Sequence, residues 1–419
     1  MIKIKNNQLY FGNIKAEELA KEFGTPLYVY DFEKVAQNIE KLKKAIKKAK
    51  ANIKIYYAQK ANSSLALLKF LKNKVDGVDT ASPFEVETAL KAGFSEREIM
   101  LTCPALTDKD LDYLAKKSIF INADSFSQIK KISKKKKIFQ IGIRINPLIE
   151  IGAHSHIKTG GKYSKFGIIP PKAIEAVKLA KKEGLEVLGL HCHAGSNWLA
   201  KDLLVFEKIA RVMTDVAKRV KKITNLNFLD FGGGIGIAHS PKERDFNQKE
   251  LTSYAKIIKR ATKEAGVFEA RIEPGRFIIG NAGVLLTKVV HLSQGEKPID
   301  VCILDAGFNI FARPFIYGAF HKILLSLKVK SKKFKKYLIG GNLCEGGDVF
   351  NTSKKELRKL PVLKEGDILA IFNAGAYGFS MSSQFNSRLR PAEIAILNGK
   401  VKLIRKRESF EDLIKNQIF

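Results

Sequence analysis

The chain has 419 residues, of which 45% are hydrophobic and 28% are charged, a composition typical of a folded globular protein. This length fits one large domain or two, and we begin from two. No run of about 18 uncharged apolar residues is present to span a bilayer, and the N-terminus lacks the apolar segment of a signal peptide. The four cysteines show no paired spacing, which favours a reducing cytoplasm.

The formal net charge of +32 raises the question of nucleic acid binding, because clustered lysines and arginines displace counterions from phosphates. The lysines occur in runs at 41–50, 130–137 and 328–337, where apolar residues recur at helical or strand spacing. Such runs are typical of solvent-exposed outer faces, and no zinc-finger spacing or RNA-binding aromatic signature accompanies them. The sequence therefore favours no nucleic acid partner and no membrane association, with nucleic acid binding kept as an alternative that rests on charge alone.

Eight short apolar runs bounded by turn residues are predicted to be β-strands. They are 53–60, 75–81, 98–103, 118–124, 139–146, 185–193, 226–233 and 268–275. Between most of them an apolar period of 3.6 residues predicts helices, at 64–73, 83–93, 108–117, 170–184 and 251–266. This alternation favours an α/β fold with a parallel (β/α)8 TIM barrel over an open doubly wound sheet.

After about residue 285 the pattern changes to strands without long helices. The predicted strands lie within 283–293, 299–307, 322–330, 367–375 and 393–406. We predict a cofactor-binding barrel over 26–285 and a β-rich, sandwich-like or barrel-like domain over 1–25 and 286–419, beginning with a hairpin. The connection 147–170 has no clear element, and a loop of that length is typical of a lid.

In a TIM barrel the chemistry takes place at the C-terminal ends of the strands. Polar and glycine residues gather there in this sequence: Lys60, Asp79, Arg144, His193, the glycines after Asp230, and Glu273. A lysine that ends an apolar strand is expected to lose hydration, which favours the neutral amine that can join an aldehyde cofactor. The alternative is a lysine that lies along the barrel rim with its ammonium group in water.

Two motifs follow the sixth and seventh predicted strands. The glycines of "DFGGGIG" would let backbone N–H groups approach a phosphate, and an ordinary tight turn is the alternative. His191 and His193 share one face of a strand, which suggests a metal pair, but no third ligand follows at a recognisable spacing. A ring-stacking or proton-carrying role for His193 is favoured, with a buried structural histidine as the alternative for either residue.

Three later motifs also combine reactive residue types. Glu273 in "EPGR" offers a carboxylate that could keep a pyridine nitrogen protonated and so make the cofactor a strong electron sink. An ordinary ion pair is the alternative. The segments "NLCEGGD" at 342–348 and "NAGAYGFSMSSQFNSRLRP" at 373–391 offer a thiol beside a carboxylate and a glycine- and serine-rich loop. The alternative for both segments is an ordinary turn, in which glycine, serine and asparagine are common.

Together and in this order, the motifs closely resemble those of the diaminopimelate decarboxylases. That family belongs to the pyridoxal-phosphate fold family that also holds ornithine and arginine decarboxylases and alanine racemase. The resemblance rests on "YYAQKAN", "TGGKYSKFGI", "HCHAGS", "DFGGGIG", "EPGR", "RPFIYGAFH", "LCEGGD" and "GAYGFSMSSQFNSR". It implies decarboxylation of meso-2,6-diaminopimelate to L-lysine and carbon dioxide, the last step of lysine biosynthesis, with pyridoxal 5'-phosphate as cofactor and no metal.

The resemblance also implies a role for each matched residue. Lys60 would carry the cofactor covalently, His193 would stack on its ring, and Glu273 would pair with its pyridine nitrogen. The other cofactor-binding residues would be Ser196, Gly232, Gly233, Gly234, Gly236, Pro274, Gly275, Arg276 and Tyr377. The substrate would be bound by Arg276, Arg313, Tyr317, Glu345 and Tyr377. The catalytic residues would be Lys60, His193 and Cys344, of which Cys344 would be the proton donor. In the family the "CEGGD" loop enters the active site of the partner subunit, which implies a homodimer with shared sites and an inactive monomer.

Some alternatives remain within the same fold. An acid at Glu273 argues against racemases, which tend to place an arginine opposite the pyridine nitrogen, and Glu345 together with "SKFGI" favours diaminopimelate over ornithine. Gly346, Asn197 and Leu389 depart from the usual family pattern and leave the fine specificity open. The alternatives are a decarboxylase of carboxynorspermidine, ornithine or D-lysine, and a cofactor-binding or partner-binding homologue without turnover, which usually lacks the lysine or the cysteine kept here.

Overall fold

Eight parallel strands close into a barrel, as the sequence predicted. The structure, a computed structural model, describes residues 2–5, 8–135, 137–152, 159–294, 299–326, 333–351 and 356–418. The barrel strands, called first to eighth below, are Ile53–Ala58, Gly77–Thr80, Ile99–Leu101, Phe120–Ala123, Gln140–Ile145, Glu186–Cys192, Phe228–Asp230 and Glu269–Ile272. Each strand pairs in parallel with the next, and the eighth pairs with the first. This order brings the C-terminal ends of all eight strands to one end of the barrel.

Four helices of the barrel begin at a polar side chain that caps them. The α-helices of the described residues are Ala16–Phe23, Phe32–Ala49, Leu65–Leu71, Pro83–Lys91, Asp108–Lys116, Phe126–Ser133, Ala173–Lys182, Leu203–Val220, Gln248–Ala265, Arg276–Ile279, Arg313–Tyr317 and Phe410–Ile414. Side-chain oxygens of Ser82, Thr107, Ser125 and Asn247 each accept a hydrogen bond from a backbone N–H three residues later. Each such cap stabilises its helix by about 1 kcal/mol. Within the described parts of the chain, no helix combines the length and the apolar character needed to cross a bilayer.

The lysine run at 41–50 forms a solvated helix face, as predicted. Lys41, Lys43 and Lys47 are exposed, whereas Leu42 and Ala45 between them are buried. The charge therefore lies on the outside of an amphipathic helix. In the run at 328–337, residues 328–332 lie outside the described residues.

A second compact unit is built mainly from β-strands. Its strands are Ile2–Lys5, Gln8–Phe11, Ile14–Lys15, Leu27–Asp31, Gly283–Gln294, Asp300–Leu304, Ile323–Leu325, Phe334–Gly340, Arg358–Pro361, Ile368–Phe372, Ala392–Leu397 and Lys400–Arg405. The predicted N-terminal hairpin is confirmed, because the first two of these strands pair antiparallel. The predicted β-rich character of the C-terminal part is confirmed as well.

The strand Leu27–Asp31 is buried along its whole length inside this sheet. It pairs antiparallel with Gly283–Gln294 and parallel with Ala392–Leu397. Val29 contributes to a core that also contains Leu19 of the helix Ala16–Phe23. A strand paired on both edges belongs to the sheet that surrounds it.

The compact units differ at their edges from the predicted domain limits. One unit comprises residues 1–37, 239–243 and 279–419, and the other comprises 38–238 and 244–278. The predicted barrel limits of 26–285 thus include Leu27–Asp31, which pairs within the sheet unit. Local sequence does not indicate this pairing, because the partner strand Gly283–Gln294 begins more than 250 residues later.

Candidate active site

Lys60 lies directly after the first barrel strand, in the short 3-10 turn Gln59–Ala61. The Tyr57 hydroxyl donates a hydrogen bond to the carbonyl oxygen of Asn62 at 3.0 Å, which fixes this turn. The Lys60 ammonium group is 3.2 Å from the carboxylate of Asp79 on the second strand, and the lysine side chain is 39% exposed. The Lys60 side chain is thus partly withdrawn from water beside a buried acid, and the neutral amine expected for Lys60 stays a prediction.

His193 follows the sixth strand, and a backbone group fixes its ring. The N–H of Gly233 donates to His193 Nδ1 at 3.0 Å. Because Nδ1 accepts, the ring proton of a neutral imidazole is on Nε2. Burial, and then the charge of Lys60, lower the pKa of His193 well below its usual value, so the ring is neutral. A neutral, oriented ring at this end of the barrel is suited to packing against a flat cofactor.

The glycine run after the seventh strand is packed too closely for side chains. Gly232 and Gly234 have φ angles of +65° and +98°, in the left-handed region that favours glycine. A Cβ atom on Gly233 would lie 2.1 Å from the carbonyl oxygen of Glu273. The tight turn is thus present, and the bare backbone it leaves is what close approach to a phosphate requires.

Arg276 and Ser196 are brought together from the eighth and sixth strand ends. Arg276 is buried, and its Nη2 donates to Ser196 Oγ at 3.4 Å. A Cβ atom on Gly275 would lie 2.8 Å from Cβ of Ala61, the residue after Lys60. The barrel residues expected to bind the cofactor therefore lie around one point at the C-terminal ends of the strands.

Glu273, His191 and Asp230 form a buried polar cluster at the same end of the barrel. Their ligand atoms all lie within 4.8 Å of one another. Glu273 Oε1 is 3.1 Å from His191 Nε2, but the two atoms are not aligned as a hydrogen bond, and within the described residues Oε1 has no hydrogen-bond partner. The cluster thus contains a buried carboxylate oxygen that needs a donor.

Burial dominates the electrostatics of this cluster. It raises the pKa of Glu273, with a further contribution from the negative charge of Asp79. It also raises the pKa of Asp230, which faces Glu273, and lowers the pKa of His191 to about 4. A positive group placed against Glu273 would relieve the cost of burying its charge.

These residues fit pyridoxal phosphate. The protonated nitrogen of its pyridine ring supplies both the N–H donor and the positive charge that Glu273 Oε1 requires. The amine of Lys60 is of the type that bonds to the cofactor's aldehyde. The backbone N–H groups of the glycine run are of the type that binds its phosphate. By distance alone the cluster of Glu273, His191 and Asp230 could also hold a metal ion, so the expected absence of a metal stays a prediction.

The described parts of the connection 147–170 are bound to the barrel. The N–H of Ile168 donates to the carbonyl of Arg144 at 2.8 Å, and Thr159 Oγ1 donates to the carbonyl of His193 at 2.7 Å. The Phe166 ring lies 4.3 Å from the Arg144 guanidinium carbon. Residues 153–158, the middle of the predicted lid, lie outside the described residues.

The remaining predicted site residues belong to the sheet unit. Arg313 begins the helix Arg313–Tyr317 and is 4% exposed, and its guanidinium carbon is 5.8 Å from the centre of the Tyr317 ring. Tyr377 has a φ angle of +56°, which is uncommon for a tyrosine. Backbone conformations of this kind persist where the surrounding structure enforces them, often at functional sites.

Cys344 and Glu345 are exposed at the tip of the loop 342–348. The buried Asp348 holds this loop, because its carboxylate accepts the N–H of Leu343 at 2.9 Å and that of Phe308 at 2.7 Å. The thiol and the carboxylate are therefore presented outward from a fixed loop.

The barrel with its lysine, glycine turn and buried acid, accompanied by a β-rich unit, defines an enzyme of the pyridoxal-phosphate class. Residues 35–280 match the family model for the pyridoxal binding domain of pyridoxal-dependent decarboxylases. The diaminopimelate decarboxylase of Methanothermobacter thermautotrophicus is 39% identical over 415 residues, which cover 98% of this chain and 95% of that protein.

Solved structures agree with these matches. The M. jannaschii diaminopimelate decarboxylase in complex with L-lysine is similar with a TM-score of 0.90 and 31% identity, covering 100% of this chain and 98% of that one. The Helicobacter pylori diaminopimelate decarboxylase complexed with L-lysine has a TM-score of 0.87 and 36% identity, covering 95% and 98%. The chain belongs to the diaminopimelate decarboxylase family.

Proposed function

We propose that this enzyme decarboxylates meso-2,6-diaminopimelate to L-lysine and carbon dioxide, with pyridoxal 5'-phosphate as its cofactor. The observation that supports the reaction type is the buried acid Glu273, whose Oε1 has no hydrogen-bond partner among the described residues and would pair with a protonated ring nitrogen. The substrate follows from the full-length similarity to diaminopimelate decarboxylases. When bound, the cofactor accepts the electron pair that remains on the α-carbon after carbon dioxide leaves.

The side chains of the barrel prepare this chemistry. Lys60 Nζ would hold the cofactor covalently, and the Lys60 side chain is 39% exposed. The Glu273 carboxylate would keep the ring nitrogen protonated, and His193, fixed through Gly233, would stack on the ring. The phosphate is held by Ser196, the glycine run and the residues 274–276.

The side chains that select the substrate bear complementary charges. Arg276 and Arg313 are both 4% exposed, and a buried guanidinium pairs well with a carboxylate through two parallel hydrogen bonds. Tyr317 and Tyr377 add hydroxyl donors, and the Glu345 carboxylate accepts from a substrate ammonium group. The Cys344 thiol returns a proton to the α-carbon. A substrate with carboxylates at both ends suits this set.

The direct test is turnover by the purified chain loaded with pyridoxal phosphate. Incubation with meso-diaminopimelate should release equal amounts of L-lysine and carbon dioxide, measured by chiral chromatography and by trapped gas. Ornithine, carboxynorspermidine and D-lysine serve as competing substrates. Turnover of one of these without turnover of diaminopimelate would contradict the proposed substrate.

We further propose that two copies of the chain share their active sites. The loop that carries Cys344 adjoins an exposed aromatic group, because the Cys344 N–H donates to Asn386 Oδ1 at 2.9 Å. Next to Asn386, Phe385 is 44% exposed, and its ring lies 5.3 Å from that of Phe308, which stacks on the 45% exposed Phe315 at 4.5 Å. Exposed aromatic patches of this kind mark protein interfaces, and this one supports a homodimer.

Mixing two inactive variants tests the sharing of sites. Lys60→Ala and Cys344→Ala each remove one essential group, so each homodimer should be inactive. If Cys344 acts in the partner's site, a heterodimer contains one intact site, and an equal mixture should recover about 25% of the parent activity. Activity is measured after exchange of subunits, and light scattering gives the mass. No recovery in a mixture that has formed heterodimers would contradict shared sites.

A cytoplasmic location is also proposed. It is supported by the four cysteines, Cys103, Cys192, Cys302 and Cys344, all of which are free thiols in the structure.

A further inference from the structure

His321 ends the motif "RPFIYGAFH", which begins with Arg313. It is 1% exposed and lies just before the strand Ile323–Leu325. Its Nδ1 is 2.9 Å from the carbonyl oxygen of Phe372. A carbonyl oxygen only accepts, so Nδ1 carries the proton, and the other ring nitrogen, Nε2, presents a lone pair.

That lone pair accepts a hydrogen bond from Arg313. The distance from Arg313 Nε to His321 Nε2 is 3.2 Å, and both groups are buried. A bond at Nε fixes the plane of the guanidinium group, and a carboxylate is then bound end-on through the two terminal nitrogens. The histidine therefore determines which edge of Arg313 can meet a substrate.

The His321 ring is itself held on several sides. Phe311 packs edge-on against it at 4.6 Å between ring centres, and His239 does so at 4.8 Å. The Phe372 carbonyl is equally fixed, because Ile368–Phe372 pairs with both Gly283–Gln294 and Ile323–Leu325. The His321 imidazole thus links Arg313 by hydrogen bonds to the backbone of the strand Ile368–Phe372.

We propose that His321 is a positioning residue for substrate recognition. Its Nδ1-protonated form holds Arg313 in the orientation that binds a substrate carboxylate. This inference rests on the proposed function, in which Arg313 contacts the substrate. In this proposal His321 acts through Arg313, to which it is hydrogen-bonded.

The test compares substitutions that keep or remove the acceptor. In His321→Gln the amide oxygen reaches the position of Nε2, whereas His321→Asn is too short to do so. His321→Phe retains the ring packing against Phe311 and serves as a second variant without an acceptor. For the Asn and Phe variants we expect KM for meso-diaminopimelate to rise about 10- to 100-fold, the effect of losing a hydrogen bond to a charged group. We expect kcat to change less than about threefold, because the lost interaction contributes to binding in the ground and transition states alike.

The Gln variant should return KM to within about threefold of the parent. Calorimetric titration with L-lysine gives a readout independent of turnover, and its Kd should weaken by the same factor as KM. His291→Asn, an exposed histidine in the same sheet unit, is the matched control and should leave both constants unchanged.

A double substitution tests whether His321 acts through Arg313. In an Arg313→Lys background, which lacks Nε, adding His321→Asn should raise KM by less than about twofold. Three results would overturn the inference. The first is a double variant in which the two substitutions raise KM additively. The others are a folded Asn or Phe variant with the parent KM, and a Gln variant whose KM is as high as that of the Asn variant. Parent turnover of diaminopimelate is measured first, so failure of the proposed function is seen separately.

Discussion

Replacing Lys60 with alanine is expected to reduce decarboxylation by roughly four orders of magnitude or more, as for removal of a covalent catalyst. The substitution removes the amine that we propose holds the cofactor, in the turn that follows the first strand. The variant should also lose the visible absorption of the covalently bound cofactor and its bleaching by borohydride. Carbon dioxide release and the absorption spectrum of the purified variant are the measurements.

Lys54→Ala is the matched control. Lys54 lies on the same strand, is 44% exposed and pairs with Asp76 at 3.2 Å, a geometry much like that of Lys60 with Asp79. It lies at the opposite end of the strand and should keep both the spectrum and the activity. An active, coloured Lys60→Ala protein would show that another amine binds the cofactor.

Glu273→Gln is expected to lower kcat by roughly 100- to 1,000-fold, the usual effect of removing one charge-stabilising group from an active site. The amide nearly preserves the shape of the side chain, but it lacks the charge that we propose keeps the ring nitrogen protonated. The cofactor should still be bound through Lys60, so the spectrum tests loading separately from kcat. Steady-state kinetics on the loaded variant are the measurement.

Glu269→Gln is the control on the same strand. Glu269 bonds to Arg271 Nε at 2.7 Å near the other end of the barrel, so its loss should leave kcat within about twofold. If Glu273→Gln, fully loaded, kept the parent kcat, the pairing of this acid with the ring nitrogen would be wrong.

The barrel could be predicted because each of its strands carries its own signal. Runs such as "IKIYYA" and "EVLGLHC" are apolar, short and bounded by polar turns, and amphipathic helices separate most of them. The helix Leu203–Val220 is not among the predicted helices, although its buried residues, such as Phe206, Ala210 and Met213, follow the helical period. The segment itself therefore contains the pattern that predicts a helix.

The strands of the sheet unit are harder to predict than those of the barrel, because they pair with strands that are distant in sequence. Phe334–Gly340 begins with exposed residues, including Lys335 and Lys336, so its first half has no apolar alternation. Leu27–Asp31 is strongly apolar, but nothing nearby in sequence indicates which unit it joins. Which unit such a strand joins depends on the strands it pairs with, and a single sequence does not show which strands pair.

The sequence motifs predict which residues form the candidate site, but they do not predict the contacts between those residues. His191 was considered as a partner of His193, whereas the structure places it 3.1 Å from Glu273. The bond of His321 to Arg313 joins residues eight apart across a short helix and a turn, and the tautomer that makes it possible depends on Phe372, 51 residues later. Spacing alone does not reveal hydrogen bonds of this kind.

The central place of Leu27–Asp31 in the sheet has a consequence for protein synthesis. Both neighbours of this strand, Gly283–Gln294 and Ala392–Leu397, leave the ribosome late. A nascent chain therefore carries an apolar strand with both edges unpaired while the whole barrel sequence is translated. Pairings across such separations form slowly, and open strand edges promote aggregation. The growing polypeptide is thus expected to need chaperones until nearly its last residues have been made.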